Sequence, residues 1–240
     1  MHRCFVDFKI AANTCVKVCG DEAKHMSKVL RLASGDNVEV CDGSGFTFPG
    51  IISSITKNEV EISLGEGIAD ESEPETKVYL FAGLSKGAKM ELVIQKSVEL
   101  GVTEVIPVET EFAVAKEGKT ERWQRIAFEA AKQCKRPTVP KNSEVLSFKE
   151  AVEMMKSLDI SLCAYEREDK KGISEALNES PTCKTCGIFV GPEGGFSEKE
   201  IEFLSENGIA TVSLGKRILR TETAAIVLLT IVMHHFGELN

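Results

Sequence analysis

No apolar run in this chain is long enough to cross a bilayer. The longest, Ala224 to Met233, is about half the length a membrane helix needs and suits a buried helix instead. The opening Met-His-Arg-Cys has no apolar stretch of the kind a secretory signal carries, so none is expected and the protein is expected to be soluble. Internal repeats and low-complexity segments are also missing. A disulfide framework is not expected either. Eight cysteines (Cys4, Cys15, Cys19, Cys41, Cys134, Cys163, Cys183 and Cys186) are scattered through 240 residues, and several lie inside apolar runs, where a reduced thiol behaves as a small hydrophobe. Cys183-Lys-Thr-Cys186 has metal or redox spacing, but neither a second such pair nor a histidine pair accompanies it, so no metal is expected. These features suit a reducing, cytoplasmic setting.

Positive charge is in short supply. The formal net charge is −8, which argues against strong attraction to nucleic acid. Its distribution softens that conclusion: from Lys86 to Lys141 there are 11 Lys/Arg against 8 Asp/Glu, and Lys132, Lys135, Arg136 and Lys141 occur with no acid among them. Such a run is either a solvated face or an anion-binding one.

The chain does have an ordinary globular composition, 42% hydrophobic and 28% charged, enough for a packed core. Residues 1 to about 70 read as β-rich. Short apolar runs such as Asn37–Cys41, Gly50–Ile52 and Glu59–Ser63 are punctuated by Asp42-Gly43, Ser44-Gly45 and Asn58. One helix is expected from Asp21 to Leu32, with Asp21 as its N-cap. The acidic, Pro-containing stretch Gly67–Thr76 marks a domain boundary, so a small barrel over 1–72 precedes a larger domain over 73–240. There the pattern changes to alternating strands and helices. Strands are expected at 77–84, 103–108 and 159–165, and helices at 86–100 (stopped by Gly101), from Thr120, at 148–155 and at 173–177. This is the signature of an α/β fold with a mostly parallel sheet.

Two strand-to-helix junctions stand out near the end. In Gly191-Pro-Glu-Gly-Gly-Phe-Ser197, three glycines allow close backbone approach, and Ser197 with Glu200 forms a capping box that opens a helix. The loop is either a tight turn or an anion-binding site, but its spacing is neither GxGxxG nor that of a P-loop. Glu193 is unnecessary for turning; it balances a cationic ligand or bonds a neighbouring backbone. In Leu214-Gly-Lys-Arg-Ile-Leu-Arg-Thr-Glu-Thr-Ala224, Thr221 as N-cap and Glu222 in the first turn open an apolar helix. Arg220 has no such structural account. Ile218 and Leu219 need a partner, either a ligand ring or the sheet.

Together these two stretches resemble the methyl-donor site of SPOUT methyltransferases. More closely, they are similar to the ribosomal RNA small-subunit methyltransferase E family. The resemblance runs nearly end to end: Met1–Val6, His25-x-x-x-Val-Leu-Arg-Leu-x-x-Gly35-Asp and Asp42-Gly43; Lys86, Lys89 and Gln95-Lys-x-x-Glu-Leu-Gly-Val102; Arg122-Trp123, Glu129-Ala130, Gln133, Arg136 and Pro140. It implies a PUA-like amino-terminal barrel that binds RNA, and a trefoil-knotted, dimeric α/β domain. The implied reaction is methylation of N3 of a uridine in 16S rRNA of the small ribosomal subunit. The resemblance assigns S-adenosyl-L-methionine to Gly191, Pro192, Glu193, Gly194, Gly195, Leu214, Gly215, Ile218, Leu219, Thr223 and Ala224. Arg220 then stabilises the acceptor base, with Glu222 or Glu193 taking its proton. RNA contact falls to Arg3, Lys28, Arg31, Lys86, Lys89, Lys132, Lys135 and Arg136. One segment departs: where the family usually has a Glu-Arg-Ser-like segment this chain has Glu111-Phe112-Ala113, so no role is carried over to Phe112. Two alternatives compete: a non-catalytic RNA-binding or ribosome-assembly protein on the same fold, and a different nucleotide-using enzyme.

Overall fold

The computed structural model describes residues 2–239 apart from Asp7, Glu71, residues 115–118 and Lys170. Met1 of the opening block and Glu71 of the acidic boundary therefore lie outside the described residues. The chain divides into two compact units, residues 1–73 with 131–139, and residues 74–130 with 140–240.

The first unit is built on β1 (His2–Phe5), β2 (Cys15–Cys19), α1 (Gly20–Lys24), β3 (Asn37–Cys41), β4 (Phe46–Ile55), β5 (Glu59–Leu64) and β6 (Ile68–Ala69). Its sheet runs β1-β3-β4-β5-β2, with β6 added to β4. Side chains alternate across strands, so one face of each supplies the core: Cys4 from β1, Val16 and Val18 from β2, Val38 and Val40 from β3, and Val60, Ile62 and Leu64 from β5. The expected helix from Asp21 is shorter and different. It starts after Cys19, which caps it without a side-chain bond, and passes at His25 into a π-turn, His25–Val29. Asp21 therefore sits in the first turn rather than at the cap. The acidic boundary stretch is partly a strand: Ile68 and Ala69 pair with Thr47 and Phe46, and Asp70 accepts a bond from Thr47 Oγ1 at 2.9 Å.

The second unit alternates β7 (Lys77–Gly83), α2 (Ala88–Glu99), β8 (Glu104–Glu109), α3 (Thr120–Cys134, whose last residues belong to the first unit), β9 (Lys141–Asn142), β10 (Leu146–Ser147), α4 (Phe148–Lys156), β11 (Ile160–Ala164), α5 (Ile173–Asn178), β12 (Thr185–Val190), α6 (Glu198–Glu206), β13 (Ala210–Val212) and α7 (Thr221–His235). The sheet order is β10-β8-β7-β12-β11-β13, every pairing parallel. Central strands buried on both faces read as unbroken apolar runs, as in Leu80-Phe81-Ala82 and Ile188-Phe189-Val190. Gly101 (φ 95°) stops α2 just past its last turn, as only a residue tolerant of positive φ can do cheaply. On one face Ala151, Val152 and Met155 of α4 and Leu204 of α6 cover Phe81, Ile106 and Phe189. Helix α7 packs on β7, β12 and α2.

Candidate functional site

The carboxyl ends of parallel strands are where α/β sheets place ligands, and the cleft of this unit lies there. It is lined from three strand ends: Ala164 of β11 with Tyr165 and Glu166 after it; Val190 of β12 with Gly191, Pro192, Gly195 and Phe196 after it; and Leu214–Leu219 between β13 and α7, with Thr221 and Ala224 of α7.

The β12 loop owes its shape to anchors on both sides. Phe196 is buried and meets Phe189 edge-on, with ring centroids 4.9 Å apart, tying the loop to the core. Ser197 and Glu200 form the reciprocal capping box read from the sequence, and Glu200 Oε1 also accepts from the Glu111 backbone N–H at 2.9 Å, so one carboxylate ties the β8 end to this loop. Pro192 rests on Gly83 at the end of β7, where a Cβ would come within 2.4 Å of its ring. Glu193 points to protein rather than into the cleft. It accepts from the Lys86 backbone N–H (3.3 Å) and from Lys89 Nζ (3.0 Å). Partial burial alone would raise its carboxyl, but its own N–H, Lys89 and the Lys86 N–H outweigh that and hold it below the usual carboxylate range. The second of the two sequence readings, a bond to a neighbouring backbone, is the one realised.

The β13–α7 junction departs from expectation at its cap. Arg220 (φ −67°, ψ 153°) is the N-cap, without a side-chain cap bond, and Thr221 is the first helical residue and buried. Arg220 is exposed; neither it nor Glu222 lines the cleft, although its neighbours Leu219 and Thr221 do. Glu222 is half-buried, and its Oε2 is a buried oxygen with no hydrogen-bond partner among the described residues. Ile218 is 84% exposed, so it lines the cleft without packing into the sheet.

Of the expected donor residues, the fold gathers Gly191, Pro192, Gly195, Leu214, Gly215, Ile218, Leu219 and Ala224 around one cleft; Glu193, Gly194 and Thr223 do not line it. Sequence reading missed the β11 wall. Glu168 holds that wall by accepting from Thr211 Oγ1 at 2.6 Å, and the Tyr165 N–H donates to the Val212 carbonyl at 3.1 Å. The available signal was position: these residues follow a parallel strand at the ligand edge.

The walls suit an adenosine-bearing sulfonium. Gly191 and Gly195 line the cleft as bare backbone, and packing leaves little room for more: a Cβ at Gly191 would come within 3.1 Å of Phe196, and one at Gly195 (φ 71°) within 3.0 Å of the Glu166 carboxylate. Val190, Leu214, Ile218 and Leu219 offer apolar contact for a flat ring, and Glu166 offers a hydrogen-bond acceptor with negative charge. Among the described residues, no cluster of His, Cys, Asp or Glu could hold a metal ion.

The eight cations expected to meet RNA separate into two groups. Arg3 is held by Glu39 (2.9 Å) and Asp70 (3.0 Å) and donates to the Lys135 carbonyl. Lys132 is held by Glu22 at 2.7 Å and Lys89 by Glu193. Arg136 is 5% exposed and makes two bonds to Glu73, at 3.0 and 2.8 Å. These four hold the fold together by charge pairing. Lys28, Arg31, Lys86 and Lys135 have exposed side chains. Arg136→Ala is accordingly expected to lower stability by about 3 kcal/mol, because it strands Glu73. It should leave the salt dependence of RNA binding unchanged, read by thermal unfolding and by anisotropy titrations across ionic strengths.

Comparison with known proteins agrees with this geometry. Residues 72–233 match the family model of an RNA methyltransferase domain, and residues 18–65 that of an RNA methyltransferase PUA domain. The chain is 35% identical to the ribosomal RNA small subunit methyltransferase E of Bacillus subtilis over 98% of its own length and 96% of the relative's. It is 30% identical to the protein of that name from Buchnera aphidicola subsp. Schizaphis graminum, over 99% and 98%. The crystal structure of the Neisseria gonorrhoeae ribosomal RNA small subunit methyltransferase E bound to S-adenosyl methionine superposes with a TM-score of 0.89 at 29% identity, covering 98% of this chain and 97% of that one. No described helix is long and apolar enough to cross a membrane. With a glycine-walled cleft at the carboxyl edge of its sheet and both family models matched in order, the chain belongs to the ribosomal RNA small subunit methyltransferase E family.

Proposed function

We propose that this protein transfers the methyl group of S-adenosyl-L-methionine to N3 of a uridine in 16S rRNA of the small ribosomal subunit, acting in the cytoplasm as a homodimer with a knotted carboxyl-terminal segment. The observation that carries the reading is the three-walled cleft, with its glycine backbone, apolar ring contacts and single carboxylate. When bound, the sulfonium supplies an electrophilic methyl.

This chain's residues do the rest. Gly191, Gly195 and Gly215 let main chain approach the donor, Leu214, Ile218, Leu219 and Ala224 pack its rings, and Glu166 offers an acceptor for its hydroxyl or ammonium groups. Holding nucleophile, methyl and leaving group in line supplies most of the acceleration. Uracil N3 carries a proton that must leave, and the base gains negative charge on its carbonyl oxygens as it does. Arg220, permanently charged and flanked in sequence by cleft residues Leu219 and Thr221, stabilises that charge. Glu222, whose Oε2 has no partner among the described residues, is the proton acceptor or orients one. Phosphate contact rests with the exposed Lys28, Arg31, Lys86 and Lys135, giving salt-dependent binding.

The test is transfer of labelled methyl to small subunits that lack this modification, followed by mapping of the modified base. Label at a uridine N3 supports the reading. Label at another atom, or calorimetric S-adenosylmethionine binding with no transfer, overturns it in favour of another methylation or of a non-catalytic RNA-binding protein.

A further inference from the structure

Phe112 leaves a large apolar side chain 45% exposed just past the carboxyl end of β8, the ligand edge of the sheet. It is not loosely placed. The Glu111 N–H before it donates to the nearly buried Glu200 carboxylate at 2.9 Å, and the Ala113 N–H after it closes a turn onto the Thr110 carbonyl at 3.1 Å. Its Cβ lies against Gly194, where an added Cβ would come within 2.7 Å of it. Gly194, itself outside the cleft lining, lies between cleft residues Pro192 and Gly195, so Phe112 rests against the donor loop. The neighbouring Glu193 anchors the backbone of Lys86, whose side chain is exposed. Phe112 and the Lys86 backbone thus contact consecutive residues, Gly194 and Glu193, of the loop that walls the cleft.

Recognition of unpaired RNA uses this pairing. Every base offers a π-face to a fixed aromatic, while a nearby cation takes the phosphate. Leaving a large ring exposed has no folding benefit, whereas a rigid ring beside a methyl-donor cleft gives an extruded base a surface to stack on. We propose that Phe112 is the stacking platform for a nucleobase of the RNA acceptor, with Lys86 contacting its phosphate. This rests on the RNA methylation reading.

The test compares Phe112→Ala, Phe112→Leu, Phe112→Tyr and Phe112→Arg in the full chain, with small subunits lacking the modification as substrate. The readouts are KM and kcat for subunits, calorimetric affinity for S-adenosylmethionine, and mass by light scattering. Alanine and leucine are expected to raise KM for subunits about 10-fold or more and tyrosine to restore it, with donor affinity and mass unchanged. The proposal is overturned if leucine performs as well as tyrosine, because packing alone then suffices. It is also overturned if Phe112→Arg alone outperforms the wild-type chain, if alanine leaves KM unchanged, or if it changes the mass and so marks an interface between copies. Failure of the wild-type chain to methylate any RNA would instead remove the underlying reading.

Discussion

Replacing Arg220 with alanine is expected to cut single-turnover methyl transfer by about 10²–10³-fold, the usual consequence of removing one group that stabilises developing charge. Affinity for S-adenosylmethionine should stay within about threefold, well under the roughly tenfold change that 1.4 kcal/mol would produce. The asymmetry follows from the position of the residue. Arg220 caps α7 with backbone alone, makes no side-chain cap bond, and is exposed between cleft residues Leu219 and Thr221 in sequence. A cation at a helix N-terminus opposes the helix dipole, at a cost of about 0.3–1 kcal/mol. Alanine there should therefore be neutral or slightly stabilising for the fold. A residue that works against its own helix between two cleft residues is placed for the ligand's sake. Turnover near the wild-type rate, or a fall in donor affinity as large as the fall in turnover, would refute this role. Single-turnover kinetics, calorimetry and thermal unfolding on the same preparation separate these outcomes.

Gly83→Ala is expected to weaken S-adenosylmethionine binding at least about tenfold and to lower stability by about 3 kcal/mol, the upper end for overpacking a tight site. The new Cβ would stand 2.4 Å from Pro192 Cδ, 2.5 Å from Pro192 N and 2.9 Å from the Gly191 carbonyl carbon. These are backbone and ring atoms that cannot rotate aside, so the donor loop itself must lift from β7. Gly208→Ala, outside the cleft lining, is the control. Its φ of 78° strains any side chain by about 1–3 kcal/mol, but nothing lies within 4 Å of the added carbon. Calorimetry and denaturant unfolding of the pair would test the argument. If Gly83→Ala binds the donor normally, the Gly83–Pro192 contact does not shape the cleft.

What was legible in the sequence was what neighbours within a few residues decide. The capping box of Ser197 and Glu200, the stop at Gly101 and the apolar runs of β7 and β12 depend on local φ, on side-chain-to-backbone bonds and on burial of both strand faces, and all are present. Local rules failed where two placements were nearly equivalent. Thr221 is the better capping residue by composition, yet the helix starts one residue earlier, with Thr221 in its first turn, buried and lining the cleft. The helix from Asp21 carried a plausible period, yet its second half opens into a π-turn that leaves Val29 exposed.

Half of the candidate site could be read from the two glycine loops; its third wall could not, because Tyr165 and Glu166 carry no motif and reach the cleft only through the strand order β12-β11-β13. The basic run from Lys132 looked free for the same reason. Its partners are 63 and 110 residues away in sequence, Glu73 for Arg136 and Glu22 for Lys132. Pairing at that separation depends on chain closure, which no periodicity records. By itself, then, the sequence determined the alternation of elements, the glycine loops and the family to which they belong, since these are properties of short segments and their order. Only the tertiary structure decided which charges are spent on one another, that Glu193 braces a loop, that Glu166 lines the cleft and that Phe112 rests on Gly194, because each depends on atoms brought together from distant parts of the chain.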